Sequence, residues 1–238
     1  MGQPPPRRNR VTPSGEIVPI DVRGAWTGNR GILHRGGGDD ARIVRQHAGI
    51  AWITCVLDFR GRRIPQWAPG HYTPLFFPDE AVAFAAGHRP CAECRRPAFR
   101  AFLDALAAAG PDGDPDERLP VPNRAPDLDR LLDRQRRYPR SSRRRLHDRP
   151  WRELPDGTFV VLGDEPAVVI GDAVIGWTVD GYGPAQVRPA RGAARLLTPP
   201  ATVRALAAGY PVQIDRRARS SAHQARSSTD GSSSATDR

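Results

Sequence analysis

The chain has 238 residues, with 36 basic and 26 acidic side chains and a formal net charge of +10, and every basic residue is an arginine. No apolar run approaches the roughly 18 residues that a membrane-spanning helix needs, and MGQPPPRRNR has no apolar stretch behind it to act as a signal peptide, so a cytoplasmic protein without membrane contact is expected. Three cysteines are few and odd in number, which excludes a disulfide framework and leaves free thiols, metal ligands or a nucleophile.

Residues 1–24, rich in Pro, Arg and Gly, read as a disordered arm. Strands are predicted at 31–35, 42–45 and 52–59, with GGGDD as the loop of a hairpin between the first two. The third, WITCVLDF, is aromatic and β-branched enough for a central strand, and HYTPLFF supplies another short one. Two helices follow. DEAVAFAA carries Asp79 and Glu80 in its first turn and Gly87 just past its end; PAFRAFLDALAAA has Pro97 near its start and Gly110 as its stop. Residues 110–126 read as a linker, and Leu128, Leu131 and Leu132 mark a short amphipathic helix that runs into an arginine cluster. After Trp151 the pattern becomes a β-meander, TFVVL, AVVI and AVIGWTV, closed by DGYG. A last helix, PPATVRALAA, ends at Gly209, and the Ser/Arg/Asp-rich tail from about Arg216 reads as disordered.

Charge position says more than arginine identity, because a chain also rich in Ala, Gly and Pro has the residue usage of a GC-rich genome. Residues 134–152 hold nine arginines and one acid, giving +8; the first ten residues and residues 216–238 hold +3 each. These pieces carry +14, so the rest of the chain is at −4.

The sharpest motif is GHRPCAECRR at 87–96. A Cys-x-x-Cys turn lets two thiolates reach one tetrahedral zinc ion; a redox dithiol and a buried inert pair share the same spacing. The longer run FFPDEAVAFAAGHRPCAECRRP resembles the second half of the zinc domain of the Ada DNA-methylation repair protein. There an aromatic pair, an alanine-rich helix, Gly-aromatic-Arg-Pro and Cys-x-x-Cys-Arg occur in that order. The resemblance implies that Cys91 and Cys94 are zinc ligands. It departs upstream, because Ada takes further ligands from an earlier Cys-x-x-x-Cys, one of them the methyl acceptor, and residues 61–70 contain no cysteine. GNRGILH, WITCVLDF, LPDG and LTPPATVRALAAGYP, together with the knuckle, resemble a bacterial protein family, which implies one architecture for the chain.

Two cysteines leave zinc incomplete, since structural sites are four-coordinate. Cys55 is the third candidate, against the alternative that it fills a core. His34 is preferred as the fourth because a remote strand ligand closes a fold, with His88 and His71 as alternatives. The expected fold is α+β: a zinc module at 25–110, a linker and basic helix at 111–150, and a β-meander with a C-terminal helix at 151–215, between the arm at 1–24 and the tail at 216–238. RQRRYPRSSRRRLHDRPWR interleaves arginine with Tyr138 and Trp151, which points to nucleic acid, DNA first, held by Arg136, Arg137, Arg140, Arg143, Arg144 and Arg145. The expected function is a zinc-stabilised nucleic-acid-binding protein without catalysis of its own. The other readings are a metal-dependent nuclease built on His71, Asp79 and Glu80 or on His34, Asp39 and Asp40, an Ada-like alkyl-transfer protein using Cys55, and a protein-interaction adaptor.

Overall fold

The computed structural model of the chain describes residues 6–61, 66–111, 121–139, 141 and 143–232, with side chains described as far as residue 225. The architecture is mixed α+β, as the element pattern implies. In chain order the first half forms β1 (Arg10–Val11), β2 (Ile17–Val18), β3 (Trp26–Asn29), β4 (His34–Arg35), β5 (Arg42–Ile43), β6 (Ile53–Cys55), β7 (Leu75–Phe77), α1 (Glu80–Ala85), β8 (Arg89–Pro90) and α2 (Arg96–Ala109). The second half forms α3 (Ala125–Arg136), β9 (His147–Pro150), β10 (Phe159–Leu162), β11 (Glu165–Ile170), β12 (Ala173–Thr178), β13 (Gly181–Val187), β14 (Ala193–Leu196), α4 (Pro200–Ala207) and α5 (Arg216–Ser232). One sheet has the order β2-β1-β7-β3-β6-β8, the other β13-β12-β11-β10-β14-β9, and β4 pairs with β5 as a separate ribbon.

The meander strands alternate with period two, as strands with both faces covered do. Phe159, Val168, Ile170, Ala173 and Ile175 face the main core, while Val160, Ala167, Val169 and Val174 face a smaller cluster with Trp151, Leu196 and Val203. The main core is continuous from Val11 to Ala222 and contains Phe77, Phe84, Phe102, Leu132, Phe159 and Tyr210. The N-terminal module and the meander, expected to be separated by residues 111–150, therefore share one core.

Two segments read as disordered, 1–24 and 216–238, contain ordered elements among their described residues, 6–24 and 216–232. The arm forms the β1–β2 hairpin, turned by Gly15 at φ +87°, and β1 joins the sheet beside β7. Val11 and Ile17 are each 1% exposed, so two well-placed apolar residues outweigh a polar composition. The tail forms α5, which packs on β12 and β13. Its Ala218 and Ala222, spaced i,i+4, are buried.

The two acids at the start of α1 do more than complement its dipole. The Asp79 carboxylate accepts hydrogen bonds from the Val82 N–H (2.7 Å), the Tyr182 hydroxyl (2.6 Å) and the Asp215 N–H (3.0 Å). Glu80 pairs with Arg95 and accepts from the Tyr210 hydroxyl and the Gln213 N–H. Together they clasp the chain between α4 and α5. Burial pushes Asp79 up to about 6 from 3.8, against the pull of its three donors. The folded state thus holds this proton more tightly than the unfolded chain. Its contribution is complete below pH 4 and is lost as pH rises through 6, by roughly 3 kcal/mol. The stability difference between the native chain and Asp79→Asn, measured by urea unfolding, should shrink by about that amount between pH 4 and pH 7. A difference that does not change with pH would contradict this account.

Candidate metal centre

The three cysteines, the full complement of the chain, converge. β6 and β8 run parallel with Ile53 opposite Arg89 and Thr54 opposite Pro90, so the next residues along, Cys55 and Cys91, emerge side by side at the strand ends. The Cys91 N–H donates to the Thr54 carbonyl at 2.9 Å and locks that register. Gly87, at φ +90°, turns the chain from α1 into β8, and its hydrogen bonds to the helix end have the C-cap pattern. A Cβ at this position would lie 2.7 Å from Arg136 Cδ. Beyond β8 the Cys-x-x-Cys turn closes with the Arg95 N–H on the Cys91 carbonyl, and α2 begins at once.

The sulfurs of Cys55, Cys91 and Cys94 lie within 4.8 Å of one another, close enough to hold one metal ion. The Glu93 N–H points at Cys91 Sγ at 3.4 Å. A hydrogen bond from Cys55, reinforced by the backbone amides of Cys94 and Glu93, holds Cys91 down at about 5. Cys55 is raised by the bond it gives to Cys91, and Cys94 by burial. Without metal the trio therefore carries one negative charge at neutral pH, centred on Cys91.

The sulfurs form the floor of a cleft of about 200 Å³ whose walls include Thr27, Asn29, Val56, Leu57, Phe59, Tyr72 and Glu93. Cys55 is half-buried here and does not serve as core filler. Tyr72 stays protonated, raised by burial and then by the charges of Cys55, Cys94 and Cys91.

None of the proposed histidines joins the cysteines. His34 lies on β4, in the separate ribbon, where Nδ1 meets Thr73 Oγ1 at 2.6 Å, Nε2 faces the Ala68 carbonyl and the ring packs edge-on against Trp67. Its assignment as fourth ligand is thereby corrected: the strand was placed beside Cys55, but β3 and β8 are the neighbours of β6. His88 is fully buried with both nitrogens engaged, receiving the Arg30 Nε–H and facing the Ala83 carbonyl. Burial, followed by the charges of Arg30 and Arg136, keeps it neutral. His71 is exposed beside the Pro69 carbonyl. Among the described residues, neither His71 with Asp79 and Glu80 nor His34 with Asp39 and Asp40 forms a metal-holding group.

Part of the arginine cluster is turned inward, while Arg134, Arg143 and Arg152 are exposed. Arg136 is 3% exposed; it donates to the Gly87 and Ile50 carbonyls and to Asp133, and stacks 3.9 Å from the Trp52 ring centre. Arg137 makes a two-pronged pair with Asp133 at 2.6 and 2.7 Å. Arg144 reaches the carbonyls of Ser14, Ala85 and Leu197, tying the β1–β2 hairpin to α1 and to the end of β14. Arg145 donates to the Arg134 carbonyl. Arg143 is exposed and lies 5.1 Å from the Tyr138 ring; Arg140 falls outside the described residues. Arg136 and Arg144 are thus corrected from polyanion contacts to internal staples.

Sequence reasoning missed Tyr72, Asn29 and Glu93 as neighbours of the sulfurs. Only Glu93 carried a local signal, since it sits inside the Cys-x-x-Cys turn; Asn29 and Tyr72 arrive through the pairing of β3 with β6 and with β7. No helix among the described residues is long and apolar enough to cross a membrane. No protein-family model, curated protein or solved structure matches the chain.

Proposed function

We propose that the chain is a zinc–thiolate protein whose centre is open at its fourth position and acts as an alkyl acceptor, with a cysteine sulfur as nucleophile. The observation that carries this reading is the position of Cys55, which joins Cys91 and Cys94 on the floor of an accessible cleft. Three soft donors with no hard one among them favour zinc over magnesium, calcium or manganese. Zinc–sulfur bonds of about 2.3 Å need sulfurs about 3.8 Å apart, so a trio within 4.8 Å closes on the ion with small side-chain shifts. Structural zinc sites are closed by four protein ligands, whereas reactive ones keep a position free. Zinc supplies charge balance, holding three thiolates ionised together at neutral pH, and the net charge of −1 keeps sulfur nucleophilic. The chain's own part is to fix the sulfurs on β6 and the knuckle and to wall the cleft with apolar side chains.

Metal analysis should find one zinc per chain, absent from the Cys91→Ser, Cys94→Ser double variant. Zinc-loaded protein treated with methyl iodide should gain +14 Da on one cysteine and retain its metal. An inert zinc form, or scattered methylation on all three cysteines, would sink the proposal.

Nucleic-acid binding is a second reading. It is favoured by the exposed pairing of Arg143 with Tyr138, a cation and a stacking surface together. With Arg134, Arg143 and Arg152 exposed in this segment, duplex affinity should fall with salt along a slope of about 3 phosphate contacts.

A further inference from the structure

A second cleft, of about 630 Å³, lies between the N-terminal arm and the β4–β5 ribbon and shares no lining residue with the cleft over the cysteines. Arg7 and Arg8 line it from the arm, Asp39, Arg42 and Ile43 from the ribbon and its loop, and Trp67 from the segment before β7. Local contacts preform it. The Gly38 N–H donates to the Trp67 carbonyl at 3.2 Å, a Cβ on Gly37 would lie 3.0 Å from Pro69 Cδ, and Arg7 donates to the Gly38 carbonyl at 2.9 Å. Trp67 is 2% exposed and sits at φ +58°, a strained conformation for a bulky residue of the kind that binding sites hold. Its indole N–H meets no acceptor among the described residues.

The charges of this cleft do not balance. Arg7 pairs with Asp39 at 2.7 Å, which leaves Arg8 and Arg42 and a lining of +2. Arg8 commits only its Nε, to the Ile17 carbonyl, and Arg42 has no acid partner among the described residues. The ribbon sets Arg35 directly opposite Arg42, and both are exposed. Like charges so placed destabilise a strand pair, and an anion beside Arg42 would offset that cost. The stretches that adjoin the lining in the chain and fall outside the described residues, 1–5 and 62–65, contain two arginines and no acid, so they add to the positive sign and do not oppose it.

We propose that this cleft binds a small phosphate monoester. At neutral pH such a group carries close to two negative charges, which match the two arginines left over by the Arg7–Asp39 pair. Guanidinium forks suit phosphate oxygens, and a carboxylate or a phosphodiester, with one charge, would leave one fork unmatched. The volume lies within the roughly 300 to 1,000 Å³ of small-molecule sites and exceeds what a bare phosphate fills. Ile43 and Trp67 supply apolar contact for the organic part.

The test is isothermal titration of the full chain with phenyl phosphate at about 0.15 M salt. Arg8→Gln and Arg42→Gln should each weaken binding about tenfold, the loss of one charge-assisted contact. Both positions are exposed, so the variants should keep the native urea midpoint. Arg217→Gln, which removes an equal charge from an exposed position on α5, should leave the affinity unchanged. The diester methyl phenyl phosphate should bind at least tenfold more weakly than phenyl phosphate. Absence of saturable phenyl phosphate binding, equal binding of the diester, or Arg8→Gln and Arg42→Gln behaving like Arg217→Gln overturns the proposal. So does an oligonucleotide without terminal phosphates that binds more tightly than phenyl phosphate and loses affinity in the same two variants, which would make the cleft a contact for nucleic-acid backbone.

Discussion

Removing the metal is expected to lower the stability of the chain by about 4 kcal/mol when free zinc stands a thousandfold above its dissociation constant. The effect comes from binding to the folded state alone. Cys55 belongs to β6 and Cys91 and Cys94 follow β8, so the unfolded chain offers no preformed trio. The metal-free protein should keep its helices and sheets, because the core from Val11 to Ala222 does not depend on the sulfurs. The loss should instead be local. Amide exchange should quicken at residues 55–57 and 91–95, where the Cys91 N–H to Thr54 carbonyl bond and the amide-to-sulfur contact of Glu93 hold the turn. Without metal only Cys91 is ionised at neutral pH, since Cys55 and Cys94 are both raised. Zinc therefore displaces about two protons, and affinity should climb roughly 100-fold per pH unit near neutrality. Urea unfolding with and without chelator measures the first effect and competition with a chromophoric chelator at pH 6.5 and 7.5 the second. Equal stability with and without zinc would show that the trio does not hold the ion. Cys55→Ser should weaken binding more than about 100-fold, the upper range for loss of a mere outer-shell partner.

The legible parts of the site were those whose signal is local. Cys91 and Cys94 share one turn, the acids Asp79 and Glu80 sit at the start of α1 as expected, with Asp79 its cap, and Gly87 follows the helix end with positive φ. Cys55 was half-legible: its strand could be named, but its meeting with Cys91 depends on a parallel register between β6 and β8 that no local pattern encodes. The same ignorance of pairing misplaced His34, whose strand is real but belongs to another ribbon. Composition misled at both ends of the chain, where a few apolar residues in register suffice to anchor a Pro- or Ser-rich segment. It misled most in the arginine cluster, where a run of +8 looks like a surface. Arginine can be interior when its fork finds carbonyl oxygens, and a sequence does not show where carbonyls will point.

Arg136→Ala is accordingly expected to cost about 3 to 5 kcal/mol of folding stability, the range for breaking a buried ion pair from one side. The side chain joins four parts of the molecule at once: the Gly87 carbonyl at the turn into β8, the Ile50 carbonyl before β6, Asp133 on its own helix, and the face of Trp52. Truncation would leave both carbonyls without this donor and open a void beside Trp52, with Arg137 the remaining partner of Asp133. Arg30, which also stacks 3.9 Å from the Trp52 ring centre, has its affinity for a proton lowered by burial first and by the charge of Arg136 second, so it would lose one like-charge neighbour. Arg136→Lys should recover little, because one ammonium does not span the two carbonyls and Asp133 in the planar geometry of the fork. Urea unfolding of both variants measures the cost. Duplex binding by Arg136→Ala at a temperature where it remains folded separates the two views of the arginine cluster. Unchanged affinity and salt slope are expected of an internal staple, and a slope reduced by about 1 would return Arg136 to the surface.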